Sequence, residues 1–400
     1  MLDFDLTEEQ KALQKMARDF AEKEIRPIAE KLDKSQNLLQ DFPWEMIKKA
    51  DALGLRTIGL PKEYDGPEYD LRTWVVLIDE LAYPDVSCAK ILSQCWKGAR
   101  RLAQVGTKAQ KDRFLPAFRD DPTYLLGGAR TEPGSGSDNQ LPYEAPNAGV
   151  MLTAQRQGDF YVLNGRKHFI SNSPVAKMLV VTARIDKTVG GVAGSRSFIV
   201  PTNTPGFKVA SVHDKVGFRM YLQGELDFDN VKVPAENILE AEAGRGGAEG
   251  VASKVELAAN AMALSRAALD AAIKYANERI QGGGPIIHHQ AVAMDIAEMY
   301  QVLHAGRTLL WRLAWAGDTG QVDPAMMHST KVFCTEAALK ICHTALEIFG
   351  GSGVMRELPM QKYVRDAMVF QHMDGTQQIN RIKVGRILAT RFNQEGRLSR

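Results

Sequence analysis

Residues 160–172 read FYVLNGRKHFISN. Aromatic and β-branched side chains crowd this stretch and turn formers interrupt it, which is the texture of strands on a half-buried sheet. Between its two runs lies Asn164-Gly165, a pair that tolerates the positive φ of a tight hairpin turn, so a hairpin is expected there. Working outward, the same texture returns in MLVVTARI (178–185), SFIVPT (197–202) and ELDFDNVKV (225–233), marking a β-region from about residue 125 to 240. No helical segments alternate with these strands, which argues against a parallel nucleotide-binding sheet.

Both flanks are helical. Thr7 and Gln10 form a capping box, and Leu13, Met16, Ala17, Phe20 and Ala21 follow at helical spacing, predicting a helix within 6–33. Helical periodicity continues through PWEMIKKADALG (43–54), RTWVVLIDELAYP (72–84) and KGARRLAQVGTKAQKDRFLPAFRD (97–120), up to Pro122. Beyond GRGGAEG (244–250), long patterns cover 251–280, 289–316, 324–349 and 359–393. The expected order is a helical domain over 1–123, a β-domain over 124–240 and a helical bundle over 241–400.

Composition narrows the function. The 50 basic and 48 acidic side chains nearly cancel and the basic ones are dispersed, so the electrostatic footprint of a nucleic-acid or anionic-membrane binder is missing and a small ligand is expected. The start, MLDFDLTEEQ, is acidic where a signal peptide is basic, and runs such as MLVV are too short to span a bilayer. A cytoplasmic protein without membrane segments is expected. Cys88, Cys95, Cys334 and Cys342 show no CxxC spacing and read as buried thiols.

The motifs that suggest chemistry have ordinary readings too. GRGGAEG lacks GxGxxG spacing, while QGGGPII and FGGSG follow helices and read as helix ends and turns. The neighbours His288 and His289 point about 100° apart on a helix and have no further ligand at metal spacing, so no metal is expected. RTEPGSGSD (130–138) offers three hydroxyls in a shaped loop, taken alone a surface loop or a site. In FQHMDGTQQINR (370–381), Asp374 before Gly375 is either the start of a turn, with Thr376 capping the next helix, or an acid/base.

In order and spacing, LTEEQ, GLPKEYDG, DELA, RTEPGSGSD, LNGRKHFISN, FDNVKVP, YANERIQGGGPIIHHQ, EIFGGSG and RDAMVFQHMDGTQQINR resemble the acyl-CoA dehydrogenase family over essentially the whole chain. The resemblance implies an α+β multidomain fold: an N-terminal all-α domain, a middle antiparallel β-barrel-like domain and a C-terminal four-helix bundle, assembled as a homotetramer, a dimer of dimers. It also implies FAD between the β-domain and the bundle. Arg130 and Thr131 then correspond to flavin contacts, and Ser137 to a phosphate or pantetheine contact. Phe169 and Ser171 supply an aromatic face and a hydroxyl in place of the family's usual tryptophan and threonine. Arg279 matches a pyrophosphate contact made across a subunit interface, and Gln290, Glu347, Gly350, Gly351, Thr376 and Gln378 match the remaining FAD contacts.

Asp374 falls where the family has its catalytic base, usually glutamate, and Gly375 beside it falls at the thioester. The chemistry needs that base because a thioester α-hydrogen is only weakly acidic, and it needs donors, such as the base residue's own N–H, where enolate charge develops. Aspartate is one methylene shorter, and a misplacement of about 1 Å can cost roughly a hundredfold in rate. Lys254 stands at the family's CoA-binding arginine, Ser253 at the alternative base position of isovaleryl-CoA dehydrogenases, and Gly282 where a phenylalanine is frequent. The implied activity is α,β-dehydrogenation of an acyl-CoA, with a branched or cyclohexanecarboxyl-type acyl group suggested by the shorter base, and with electron-transferring flavoprotein as reoxidant. A nitroalkane oxidase-like enzyme and a catalytically silent flavin binder are the alternatives.

Overall fold

A computed structural model describes residues 4–141, 143–239 and 248–396. The Thr7–Gln10 capping box forms as the sequence dictates, with Oγ1 of Thr7 accepting from the Gln10 amide at 3.2 Å, and it opens helix α1 (Glu8–Phe20). A single π-turn at Ala21–Ile25 separates α1 from α2 (Arg26–Asp33), where Pro27 sits in the first turn and its missing N–H costs no helical bond. The rest of the first helical layer is α3 (Trp44–Ala52), α4 (Leu71–Leu81), α5 (Val86–Val105) and α6 (Lys108–Asp120). Helix α5 begins eleven residues ahead of the KGARRLAQV segment, capped by Asp85, whose carboxylate accepts from the Cys88 amide at 2.9 Å.

The middle of the chain is one eight-stranded sheet: β1 (Leu125–Ala129), β2 (Thr153–Gln157), β3 (Phe160–Ser171), β4 (Ala176–Arg184), β5 (Ser195–Pro201), β6 (Phe207–Val212), β7 (Gln223–Pro234) and β8 (Ile238–Leu239). Strand order is β6-β7-β3-β2-β4-β5-β8, with β1 attached to β4. The sheet is mainly antiparallel, as the resemblance implies, with β1 running parallel to β4 and β2 meeting β4 in parallel at one position.

Asn164-Gly165 is not a hairpin turn. The β2–β3 turn is Gly158-Asp159, since Gln157 pairs with Phe160 and Gly158 has φ +59°. Asn164 and Gly165 lie inside β3 at a bulge, where the register with β7 shifts between Leu163 and Gly165. Gly165 has φ +135°, and a Cβ there would stand 3.1 Å from the Leu152 Cα, so glycine is demanded by a close backbone approach.

The last layer is α7 (Ala248–Glu278), a short hairpin of β9 (Ile280–Gln281) and β10 (Gly284–Pro285), then α8 (Gln290–Asp318), α9 (Pro324–Phe349), α10 (Met360–Phe370) and α11 (Gln377–Glu395). The helical pattern at 359–393 is therefore broken in two by residues 371–376. The boundary expected at 240/241 and most of GRGGAEG lie outside the described residues. One apolar core runs through both helical layers and under β1, which lets the helices and sheet fix each other's position; a second, smaller core lies within the sheet. All four cysteines are buried free thiols. Among the described residues no helix is long and apolar enough to cross a membrane, and no three His, Cys, Asp or Glu side chains converge for a metal.

Candidate active site

The break between α10 and α11 is where Asp374 sits. Its φ is +51° and that of Gly375 is +85°, so two successive residues turn left-handed, a conformation aspartate tolerates better than most. Asp374 does not cap α11; Thr376 does, its Oγ1 accepting from the Ile379 amide at 3.4 Å. The turn is braced from below by two buried lysines: Lys254 Nζ donates to the Asp374 carbonyl at 2.5 Å and Lys331 Nζ to the Gly375 carbonyl at 2.9 Å. Among the described residues the Asp374 amide has no acceptor.

The half-buried Asp374 side chain is directed at α7, where the Ser253 hydroxyl donates to Oδ2 at 2.7 Å. Burial raises a carboxyl's pKa, but here Lys97, then Lys254 and Lys90, outweigh it, and the Ser253 bond adds to them, so Asp374 is held well below the usual carboxylate range. Burial, with Lys254 next, pushes Lys331 down to about 7.

Beside this turn lies a buried polar cluster shared by α5 and α7. Residues 90, 93, 94 and 97 share one face of α5, and Glu256 meets them from α7. Lys90 Nζ donates to both Glu256 oxygens at 2.7 and 2.8 Å, Lys97 Nζ lies 3.0 Å from Oε2, and Ser93 and Asn260 also donate to Oε1. Glu256 is thereby saturated by its partners on α5 and α7. Tyr221 donates its hydroxyl to Gln94 Oε1 at 2.9 Å. The only sequence signal for this cluster is the run of polar residues on an otherwise apolar helix face.

RTEPGSGSD is a built loop, not a loose surface one. Arg130 holds its far end by donating from Nε to Asn139 Oδ1 at 2.8 Å, and Glu132, buried, accepts from the Met151 and Leu152 amides and from Lys167 Nζ. Burial, aided by Arg101, lowers the Arg130 guanidinium to about 10. Ser137 reaches the Asp374 turn, its Oγ accepting from the Thr376 amide at 3.2 Å. On β3, Phe169 at φ +57° is 53% exposed, presenting an open aromatic face, and Ser171 Oγ accepts from Gln223 Nε2 at 3.2 Å. Asn172 ties this strand to α5 by donating to the Ile91 carbonyl at 3.3 Å.

Ser137, Lys254, Gly375 and Thr376 are thus brought together at the Asp374 turn, with Gln378 following on α11, while Arg130 and Thr131 begin the loop that carries Ser137, and Phe169 and Ser171 lie on β3. Arg279, Gln290, Glu347, Gly350 and Gly351 are not at this turn. They form a second, exposed group at the other end of α7, brought together where Tyr275 stacks on Phe349 at 4.0 Å. The 25 residues from Ser253 to Glu278 place the two groups roughly 37 Å apart along one helix. Gly282 has φ +61°, and a Cβ there would meet the His289 ring at 3.0 Å, so this glycine serves the β9–β10 turn.

Family models match along the chain: acyl-CoA dehydrogenase N-terminal domain at residues 7–120, middle domain at 127–231 and C-terminal domain at 252–389. The chain belongs to the acyl-CoA dehydrogenase family. Cyclohex-1-ene-1-carbonyl-CoA dehydrogenase of Geobacter metallireducens is 35% identical over 388 residues, 96% of this chain and 98% of the relative. Probable acyl-CoA dehydrogenase YngJ of Bacillus subtilis is 33% identical over 395 residues, 97% and 100%. The solved butyryl-CoA dehydrogenase from Megasphaera elsdenii superposes with a TM-score of 0.87 at 31% identity, covering 97% and 100%. Acyl-CoA dehydrogenases are oxidoreductases acting on CoA thioesters, and their cofactor is FAD.

The donor set fits FAD. Beside the open face of Phe169, His168 Nδ1 and His213 Nε2 are buried without hydrogen-bond partners among the described residues, as expected beside a ring system that brings its own donors and acceptors. The Thr131, Ser137 and Thr376 hydroxyls add neutral hydrogen-bonding groups.

Proposed function

We propose that this acyl-CoA dehydrogenase removes the α-proton of an acyl-CoA with Asp374 and forms the enoyl-CoA. The observation that supports this reading is the pairing of an ionised, half-buried Asp374 carboxylate with its own unpartnered amide, on a turn that two buried lysines hold open. Bound FAD supplies the acceptor for the β-hydride. Asp374 takes the α-proton on its free carboxylate oxygen, while the Asp374 amide donates to the thioester oxygen as charge builds there. Such a donor is typically worth about 3–4 kcal/mol of barrier. Lys254 acts through the Asp374 carbonyl as a positioning residue, and Ser253 orients the carboxylate.

Phe169, Ser171, Thr131 and Arg130 would line the flavin ring, with Ser137, Thr376 and Gln378 along the chain to the phosphates. Arg279, Gln290, Glu347, Gly350 and Gly351 would serve the FAD of a neighbouring copy, in a homotetramer reoxidised by electron-transferring flavoprotein. Of the domain limits 1–123, 124–240 and 241–400, the first is supported by the end of α6 at Asp120 and the start of β1 at Leu125. An alicyclic acyl group is supported by the Geobacter relative's substrate. Asp374→Asn should retain FAD and lose anaerobic flavin bleaching by acyl-CoA at least ~1,000-fold in rate; bleaching within tenfold of the parent would refute the assignment.

A further inference from the structure

The reactive end of the proposed site is bordered by an excess of donors. Of the cluster shared by α5 and α7, Lys90, Glu256 and Tyr221 are closed off, whereas Gln94, Lys97, Ser253 and Asp374 keep partial exposure and so line its open side. Lys97 carries three N–H donors and has one acceptor, Glu256, at 3.0 Å; its side chain is 14% exposed. Gln94 spends its carbonyl oxygen on Tyr221, which leaves its amide N–H pair facing out. Ser253 spends its proton on Asp374. Apart from the Asp374 carboxylate, the open side therefore offers donors to whatever enters.

The charges agree. Lys97 faces Glu256 and Asp374 together with Lys90, which burial lowers to about 8, and Lys254, which burial also lowers, and both oxygens of Glu256 are already filled. Burial works against the charge on Lys97, but Glu256, then Asp374 and Tyr221, outweigh it and keep the ammonium protonated. An uncharged hydrocarbon chain laid against this surface would strip water from a lysine and an amide and return no hydrogen bond.

We propose that Lys97, with Gln94 beside it, is a specificity-determining residue that recognises a carboxylate carried by the acyl group, so that the preferred substrates are acyl-CoA esters bearing a second, free carboxyl. This deepens the dehydrogenase reading and rests on it. Glu256 and Ser253 lie one helical turn apart on α7, with Lys97 on the first and Asp374 on the second, so the carboxylate would sit about 5 Å beyond the reacting carbon. Its charge would also offset that of Lys97, the largest electrostatic influence lowering Asp374, and make the base stronger once substrate is seated.

The test uses the FAD-loaded enzyme and calorimetric binding, which needs no turnover, with matched pairs of acyl-CoA esters of equal length, one ending in methyl and one in carboxylate, linear and alicyclic. The carboxylated member should bind at least tenfold more tightly. Lys97→Met should remove that preference and leave the methyl-ended ester within about twofold, and Gln94→Leu should reduce the preference in part. In Asp374→Asn the preference should persist although bleaching is lost, which separates recognition from chemistry. Equal binding of the pair, or an undiminished preference in both Lys97→Met and Gln94→Leu, would overturn the inference while leaving the dehydrogenase reading standing. Binding of neither ester would remove both.

Discussion

Asp374 shows how one residue's surroundings set its chemistry against its default. A carboxylate crowded by Lys97, Lys254 and Lys90 is ionised at every working pH, yet the same neighbours make it a poor proton acceptor. The residue sits on a left-handed turn at φ +51°, a conformation aspartate tolerates better than most. Ser253 is the contact most open to test. A hydrogen bond to a charged acceptor contributes about 1.5–3 kcal/mol, and one pKa unit is about 1.4 kcal/mol. Ser253→Ala should therefore leave Asp374 ionised and the acid side of the kcat/KM profile unmoved, while slowing anaerobic flavin bleaching by roughly tenfold because the carboxylate loses its orienting contact. A bleaching rate equal to the parent's would remove Ser253 as an orienting contact.

At the level of elements, the helices and strands followed from periodicity, and the misreadings have local causes. Asn164-Gly165 carries a hairpin's chemistry but serves a bulge, because Gly158-Asp159 closes the turn and the close approach of Leu152 needs a glycine further along. The break at 371–376 was legible only as a possible cap, since the apolar pattern of α10 continues in phase into α11. Lys90, Lys97 and Glu256 were invisible as a site because their partners are 159 or more positions apart in sequence for Lys97 and Glu256. His328 on α9 is another such case: its Nδ1 lies 2.8 Å from Asn380 Oδ1 on α11, and burial, followed by the charges of Lys254, Lys383 and Lys331, lowers it to about 4. An imidazole that must stay neutral in the fold but takes a proton when unfolded favours unfolding as pH falls from about 6.5 to 4, and adds nothing further below that. Stability should drop by about 2–3 kcal/mol across this window beyond what His328→Gln shows. Parallel losses for both proteins in denaturant titrations at pH 7 and 4.5 would remove His328 as the cause.

On the scale of the whole molecule, the two groups of expected FAD contacts lie at opposite ends of α7, so one chain cannot close a single cofactor site with both. The second group stands beside uncovered apolar side chains: Ile280 is 59% exposed, and Met294 and Tyr300 on α8 are 71% and 55% exposed. A surface that leaves this much apolar area beside an arginine without an ion-pair partner among the described residues fits a face covered by another copy, which would deliver Arg279 to its neighbour's FAD. Assembly and cofactor retention should then fail together. Met294→Asp combined with Tyr300→Asp should lower the oligomeric state in sedimentation and release FAD, with loss increasing on dilution because association is a mass-action step. Arg279→Ala should weaken FAD at least tenfold while leaving the oligomer intact. If the double variant dissociates yet holds FAD as tightly as the parent, each subunit closes its own site, and Arg279 must act elsewhere.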